Sequence, residues 1–241
     1  GYNLIVPLVG KEAYIVGMRG EVLHKWEFPL TPGNYAYLLP TGNLLWAGRT
    51  LEGPPLRRGK GGLIREYDWD GTVVWEYEDH GQHHDFRRKP NGNTIYAAWN
   101  KQTDPDIMKS IPGGMEGEEH EGAIFTDVIR EIDPAGNIVW EWDVVKDMDM
   151  SEFPIDPSVH RHEYAHANTV APCPNGDVIV NWRYNNTMVM IDYETKKIKW
   201  SLNDISYGQH HDVQMLDNGN ILFFANGADV HIHGPETGSQ V

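Results

Sequence analysis

The sequence predicts an all-β protein assembled from repeated four-stranded units, and three observations lead to this prediction. First, its 241 residues include 25 glycines, 15 prolines, 9 tryptophans and 11 tyrosines, a composition typical of short strands joined by turns. Second, a unit recurs in which a His-x-Asp or His-x-Asn triplet opens a strand, followed by an Asn-Gly turn and a second strand. Third, tryptophans end successive units at matching places.

The recurring unit decides the architecture. It occurs as HHDFRRKPNGNTIYAAWN (83–100), HANTVAPCPNGDVIVNWR (166–183) and HHDVQMLDNGNILFFANG (210–227). A repeated supersecondary unit buries its apolar face only against copies of itself. Trp75, Trp140 and Trp200 end three successive outer strands, where we expect them to pack between units. Four-stranded units in this order are the pattern of a β-propeller with WD40-like or PQQ-like repeats.

The strands can be assigned in order along the chain. Residues 3–28 supply three strands with no inner strand before them, and residues 34–78 supply four: YAYLLP, LLWAGR, LIREYDW and TVVWEYE. Residues 83–143 and 166–203 supply four each, and a further unit begins at residue 210. Two long connections rich in Met, Pro and acidic residues, 101–122 and 144–165, interrupt the repeat and are predicted to be loops.

The ends of the chain predict how the ring closes. The segment HIHGPETGSQV has the form of a third strand, and the sequence stops where its tryptophan strand should begin. We therefore expect residues 1–241 to form a single propeller domain, truncated inside a blade, whose termini meet to close the ring. A complete protein of 241 residues would instead require a four-bladed ring.

Charge and cysteine content exclude several function classes. The formal net charge of −15 opposes binding to nucleic acid or to anionic membranes. The sequence contains no run of about 18 apolar residues, so it predicts no membrane span. Cys173 is the one cysteine, which excludes an internal disulfide, a CxxC redox pair and a cysteine zinc site. We expect small-molecule partners.

The histidines of the repeat are the candidate functional residues. Because inner strands line the channel of a propeller, His83, His166 and His210, interpreted as equivalent, should converge at one mouth. A carboxylate or amide two residues further along a strand shares the side of its histidine. It would fix the imidazole tautomer and leave the other ring nitrogen to attack, to transfer a proton or to bind metal. These supporting residues are Asp85, Asn168 and Asp212.

A structural alternative to these roles stays open. Repeat duplication could have copied a His–Asp hydrogen bond into each blade, but the unit that begins at Asn34 has no such histidine, which favours a site. The second histidines, His84 and His211, are predicted to point to the opposite face, and His84 is a further supporting residue of the site. Arg183 is the best candidate for binding an anion, because a planar guanidinium matches oxyanion geometry.

Three stretches resemble a known family. The opening GYNLIVPLVGKEAYIVGMRGEVLHKWEF, the HAN of residues 166–168 and GQHHDVQMLDNGNILFFANG are similar to bacterial arylsulfotransferases that act without PAPS, and the resemblance covers almost the entire chain. It implies a six-bladed propeller, of which this chain covers about four to five blades. It also implies a ping-pong transfer of a sulfuryl group from an aryl sulfate to a phenol, without a cofactor, in the periplasm or outside the cell. No signal peptide opens the chain.

The resemblance also implies roles for particular residues. His210 resembles the histidine that is transiently sulfated, and His211 is the alternative, because the HHD doublet shifts the alignment by one residue. His166 and Asn168 resemble the HAN pair, Arg183 the sulfate-binding arginine, and His83 another channel histidine.

Two other functions remain possible. A metal-binding propeller enzyme would use histidine ligands, as imidazole suits several transition metals. A non-catalytic binding or assembly propeller is the second alternative. Among partners we also expect that the protein can form a homo-oligomer. The metal alternative would employ His83, His166, His210 and His162.

Overall fold

The computed structural model describes residues 1–115, 117, 120–227 and 239, and almost all of its regular structure is β-strand. The all-β prediction is confirmed. Contacts along the chain divide it into two compact parts, each larger than one repeat: the first unit, Gly1–His84, and the second unit, Asp85–Val241. The expectation of a single domain therefore stays a prediction. The described residues contain no helix with the length and apolar character that crossing a membrane requires.

The first unit contains a three-stranded and a four-stranded antiparallel sheet, with strand orders β1-β2-β3 and β4-β5-β6-β7. Both match the strands predicted for residues 3–28 and 34–78. The strands are β1 (Tyr2–Ile5), β2 (Glu12–Gly17), β3 (Val22–Glu27), β4 (Pro32–Leu38), β5 (Leu44–Arg49), β6 (Gly62–Tyr67) and β7 (Val73–Glu78). Strand β8 (Gln82–Arg88) passes from the first unit into the second.

Aromatic side chains form the core of the first unit. Trp26 and Trp46 are almost fully buried, and the Phe28 ring stacks on Trp46 with 4.5 Å between centroids. The Trp26 indole nitrogen donates a hydrogen bond of 2.9 Å to the carbonyl of Asp68. Truncating a buried tryptophan to alanine costs about 3–5 kcal/mol, so these rings supply much of the packing energy of the unit.

The second unit contains two four-stranded antiparallel sheets, with orders β12-β11-β9-β8 and β14-β15-β16-β17, and a two-stranded sheet β18-β19. These are the strands predicted from residues 83, 166 and 210. Beyond β8 they are β9 (Thr94–Gln102), β10 (Gly113–Met115), β11 (Ile124–Ile132), β12 (Ile138–Asp143), β13 (Ile155–His160), β14 (Ala167–Pro172), β15 (Val178–Trp182), β16 (Thr187–Ile191), β17 (Ile198–Asn203), β18 (His211–Met215) and β19 (Ile221–Phe224).

Tryptophans pack neighbouring sheets of the second unit together. Trp142 of β12 and Trp182 of β15 are fully buried and stacked, with 5.9 Å between ring centroids. Trp140 stacks on Tyr193 at 5.0 Å and donates a hydrogen bond of 2.8 Å to its carbonyl. The prediction that the tryptophan of an outer strand packs against the next four-stranded repeat is confirmed for Trp140.

The two long connections are more ordered than predicted. They contain helix α1 (Pro105–Ser110), strands β10 and β13, and a short 3-10 helix, Met150–Glu152. Strand β10 pairs in parallel with β13, and the Arg161 guanidinium donates to the carbonyls of Gly113 and Met108 at 2.8 and 2.7 Å. Both connections were predicted to be loops, and that prediction is wrong because a pairing between distant segments leaves no local periodicity.

The predicted last strand lies outside the described residues. The segment HIHGPETGSQV falls on residues 231–241, of which Ser239 alone is described. Closure of the ring and the number of blades therefore stay predictions.

Candidate functional site

The structure corrects the equivalence assumed for the three histidines. Counted back from Asn91, Asn175 and Asn218 of the Asn-Gly turns, His83 and His210 lie eight residues before the turn, but His166 lies nine before it. In strand β14, Ala167 pairs with Trp182 while Thr169 pairs with Asn181, so Asn168 forms a bulge. The residue that matches His83 and His210 is Ala167, and the prediction that His166 is their equivalent is wrong.

The bulge also changes the predicted relation of His166 to Asn168. His166 has a left-handed backbone conformation, with φ at 54°. The bulge lies two residues further along, so the rule that side chains two residues apart share one face of a strand does not apply to His166 and Asn168. The side chain of Asn168 donates a hydrogen bond of 2.9 Å to the backbone carbonyl of His210, and the Asn181 amide donates to the same carbonyl. Asn168 therefore anchors the chain as it enters β18.

His166 belongs to a buried cluster that the sequence did not reveal. Its Nδ1 lies 2.7 Å from Oε2 of Glu163, and both residues are only 2% exposed. The other oxygen of Glu163 accepts a hydrogen bond of 2.6 Å from the Trp99 indole, and the Tyr184 ring stacks on His166 at 4.3 Å. A carboxylate at Nδ1 favours the tautomer with hydrogen on Nδ1, which places the lone pair on Nε2.

Arg183 joins this cluster to a second histidine. Its guanidinium carbon lies 5.4 Å from the centroid of Tyr184, the ring that stacks on His166. Burial lowers the pKa of His211 from its ordinary value of 6.5, and the positive charge of Arg183 lowers that pKa further. The structure thus places Arg183 against Tyr184, the ring that stacks on His166, and within electrostatic range of His211.

His211 is a neutral, partly exposed imidazole at the start of β18. Its Nδ1 lies 3.2 Å from the side-chain nitrogen of Asn226, and that nitrogen also donates to the Gln209 carbonyl at 2.9 Å. Since the nitrogen end of Asn226 faces both groups, Nδ1 of His211 acts as the acceptor. The Gln209 carbonyl and the Asp212 carboxylate act on the pKa of His211 in the opposite direction, but burial and Arg183 outweigh them.

His210 lies in a different environment from His211. It is 1% exposed, and its ring packs edge-on against Phe223 with 5.7 Å between centroids. Neither ring nitrogen has a hydrogen-bond partner of acceptable geometry among the residues that the structure describes. Burial lowers the pKa of His210 to about 4, although the nearby Asn186 carbonyl acts in the opposite direction, so the ring is neutral at pH 7.

Acidic side chains tie the inner strands of the second unit together. Asp85 accepts a hydrogen bond of 2.9 Å from the backbone nitrogen of Val170, and burial raises its pKa to about 6. Arg87 lies 3.3 Å from Asp85 and 3.1 Å from Asp212. Strands β8, β14 and β18 therefore converge within this unit, as predicted, and these contacts of Asp85 are those of a residue that positions strands.

The remaining candidates are less closely connected to this cluster. His83 and His84 belong to the first unit, where their Nδ1 atoms are 2.8 Å apart, and their participation in the site stays a prediction. The His162 ring lies edge-on to Tyr184 with 6.4 Å between centroids. Among the described residues, no group of three or more His, Cys, Asp or Glu side chains is arranged to hold a metal ion, so the predicted ligand set finds no support.

A count along the repeat would have found part of what was missed. Trp99, Arg183 and Asn226 each stand seven residues after the glycine of their turn, and their side chains contact Glu163, Tyr184 and His211. One repeat position thus supplies three site residues. Glu163 and Tyr184 carry no such signal, because neither belongs to a shared repeat position.

Solved structures share the fold at low sequence identity. A protein of unknown function from Bacteroides caccae aligns with a TM-score of 0.56 and 14% identity over 92% of this chain and 64% of its own. Catalytically inactive virginiamycin B lyase from Staphylococcus aureus with quinupristin gives a TM-score of 0.54 and 11% identity over 93% and 62%. The chain therefore spans less than two thirds of either protein.

Comparison of sequences identifies the family. No curated protein sequence matches the chain. The profile of the family described as arylsulfotransferase (ASST) matches residues 40–207, which is more than half of the chain and includes His166, Asn168 and Arg183. The chain therefore belongs to the arylsulfotransferase family.

Proposed function

We propose that this chain transfers a sulfuryl group from an aryl sulfate ester to a phenolic acceptor through a sulfohistidine intermediate. The observation that carries the proposal is the position of Arg183. Its cation lowers the pKa of His211, and through the ring of Tyr184 it lies beside the His166–Glu163 pair. A nucleophile, an oxyanion-binding cation and a base oriented by a carboxylate are the groups that sulfuryl transfer needs.

His211 is our first candidate for the nucleophile. It is partly exposed, whereas His210 is 1% exposed and packed against Phe223. Burial and, to a smaller extent, the charge of Arg183 lower the pKa of His211 and keep its imidazole neutral, and the same cation attracts the anionic sulfuryl group. His210 remains the alternative nucleophile, and Asn168 acts as a positioning residue through the His210 carbonyl.

The transfer proceeds in two balanced steps. In the first, Nδ1 of His211, once Asn226 releases its hydrogen bond, forms a bond to sulfur as the bond from sulfur to the aryl oxygen breaks. The phenoxide leaves and takes from Nε2 of His166 the proton that the acceptor of the preceding cycle gave to it. In the second, the acceptor phenol gives its proton to Nε2 of His166 as its oxygen attacks sulfur, and the bond from nitrogen to sulfur breaks. Glu163 stabilises the imidazolium that His166 becomes. Neither step requires a metal or a soluble cofactor.

Membership of the family also suggests the architecture, the partners and the location of the protein. We place the site at the channel mouth of a six-bladed propeller, with aryl sulfates and phenols as partners. Its site in the cell would be the periplasm or the extracellular space. The fold shared with propeller-like neighbours supports the architecture.

Trapping the intermediate tests the proposal. The protein is incubated with p-nitrophenyl sulfate without an acceptor, and its peptides are mapped by mass spectrometry. We expect the mass of one sulfuryl group on the peptide that contains His210 and His211, present in His210→Ala and lost in His211→Ala. His24→Asn, a partly buried histidine of the first unit, is the matched control and should label normally.

Two outcomes would change the proposal. A wild-type protein that releases p-nitrophenol but never carries the label would exclude a sulfohistidine intermediate. Label that persists in His211→Ala and disappears in His210→Ala would transfer the nucleophilic role to His210.

A further inference from the structure

A second group of cationic and amide donors lies within the first unit. Arg49 at the end of β5 pairs in register with Gly62 at the start of β6. The backbone nitrogen of Gly62 donates a hydrogen bond of 3.0 Å to Oε1 of Gln82. Lys60 immediately precedes Gly61 and Gly62 in the sequence. Strand pairing, chain order and this hydrogen bond therefore make Arg49, Lys60 and Gln82 neighbours of Gly61 and Gly62.

Each of these three side chains has donors that the protein does not use. Lys60 is 6% exposed, and its ammonium donates to the Pro54 carbonyl at 2.7 Å. Gln82 is 1% exposed, and its Nε2 has no hydrogen-bond partner among the described residues; the same holds for the buried Nε of Arg49. Burying a donor without an acceptor destabilises the folded protein, so a bound ligand that supplies acceptors would stabilise the cluster.

The charges in the cluster are also unbalanced. Within the described part of the chain, no carboxylate pairs with Arg49 or Lys60. Two acids of this region, Glu52 and Glu78, lie 2.9 and 3.4 Å from His80 instead. Burial lowers the pKa of Lys60, and the positive charge of Arg49 lowers it further, which indicates that the two cations are close. Two neighbouring cations without an acid attract an anion.

We propose that Arg49, Lys60 and Gln82 form a binding site for a tetrahedral oxyanion, a sulfate group that is either free or carried by an organic molecule. A guanidinium offers two parallel donors to such an anion, and an ammonium and a carboxamide supply the others. Gly61 keeps the site compact, because a Cβ at this residue would lie 1.8 Å from Oε1 of Gln82. Arg49 stands seven residues after Gly42, the repeat position that Arg183 occupies after Gly176.

Equilibrium dialysis with radioactive inorganic sulfate tests the proposal. The measurement uses the full chain with Arg183→Gln, so that the arginine of the second unit contributes nothing. We expect one sulfate per chain, and a dissociation constant raised at least about tenfold by Arg49→Gln and by Lys60→Met. Arg58→Gln, which removes an exposed arginine of the same loop, is the matched control and should bind sulfate unchanged.

Thermal unfolding separates loss of binding from loss of folding. Sulfate should raise the melting temperature of the Arg183→Gln protein but not of the same protein with Lys60→Met. Without sulfate, Lys60→Met should melt at the same temperature or higher, because it removes one of two repelling cations. Benzenesulfonate, whose sulfur is not transferable, shows whether an organic group adds affinity. If it binds more tightly than sulfate, the site is assigned to a carried sulfate group. If it binds equally or more weakly, the site is assigned to the free ion.

The proposal fails if sulfate does not bind the Arg183→Gln protein, or if Arg49→Gln and Lys60→Met bind it as well as Arg58→Gln does. Because turnover is not measured, this result is independent of the sulfuryl transfer proposed for the second unit.

Discussion

The β4–β7 sheet and the β14–β17 sheet carry an arginine at the same repeat position, yet the two arginines have different surroundings. Arg183 lies beside Tyr184 and within electrostatic range of His211. Arg49 lies near Lys60 and Gln82, and the inner strand of its sheet, β4, contains no histidine. The repeat therefore supplies a position for a cation, and the neighbouring residues decide what chemistry that cation supports.

The difference arises largely outside the repeat. Glu163, the partner of His166, lies at the end of the long connection 144–165. In the first unit a connection at a different place, the loop between β5 and β6 within one sheet, contributes Lys60 and Gly61. One connection thus adds a carboxylate beside an imidazole, and the other adds a second cation. Only the first combination provides a general base.

The largest effect on activity should come from removing the positive charge of Arg183, the arginine that follows β15. Arg183→Gln is expected to lower kcat/KM for transfer from p-nitrophenyl sulfate to a phenol by about 10²–10³-fold, because it removes charged donors from the transferring group. Initial rates measure this loss, with Arg58→Gln as the control that should remain at the wild-type value. A change of less than about threefold would mean that Arg183 does not differ functionally from an exposed arginine.

A smaller effect on activity should follow from changing Glu163, the carboxylate beside His166 that has no counterpart near Arg49. Glu163→Gln is expected to lower kcat by about 10–100-fold, because the amide no longer fixes the His166 tautomer or stabilises its imidazolium. The pH profile of kcat should shift as well, which a purely structural residue would not cause. Glu194→Gln, which changes an exposed glutamate in the turn between β16 and β17, is the control. An unchanged pH profile in a folded Glu163→Gln protein would remove Glu163 from the mechanism.

The smallest effect concerns the pKa of His211. Burial is the larger cause of its lowered pKa and Arg183 the smaller, so Arg183→Gln should raise the pKa partway toward 6.5. NMR titration of the imidazole carbon signals measures it. The folded protein binds fewer protons at His211 than the unfolded chain between the lowered pKa and 6.5, so this group costs stability as the pH falls through that window. A pKa that does not move would contradict the coupling of Arg183 to His211.

Local sequence was sufficient to predict the repeat. Asn-Gly and Asp-Gly turns between alternating strands fix hairpins through interactions a few residues apart, and the strands from residues 34, 83 and 166 therefore form as predicted. Arg183 and the two histidines nearest to it, His166 and His211, could also be identified, because they stand next to such strands.

Register and distant contacts were decided by the tertiary structure. His166 stands one residue further from its Asn-Gly turn than His83 and His210 do, which a count along the sequence shows, whereas the bulge at Asn168 is visible only in the strand pairing. The pairing of β10 with β13 joins residues about 40 positions apart, and it accompanies the connection that ends in Glu163. The sequence by itself determined which strands form and which side chains can act; only packing between distant strands decided which of them meet, because side-chain contacts depend on a register that a single residue can shift.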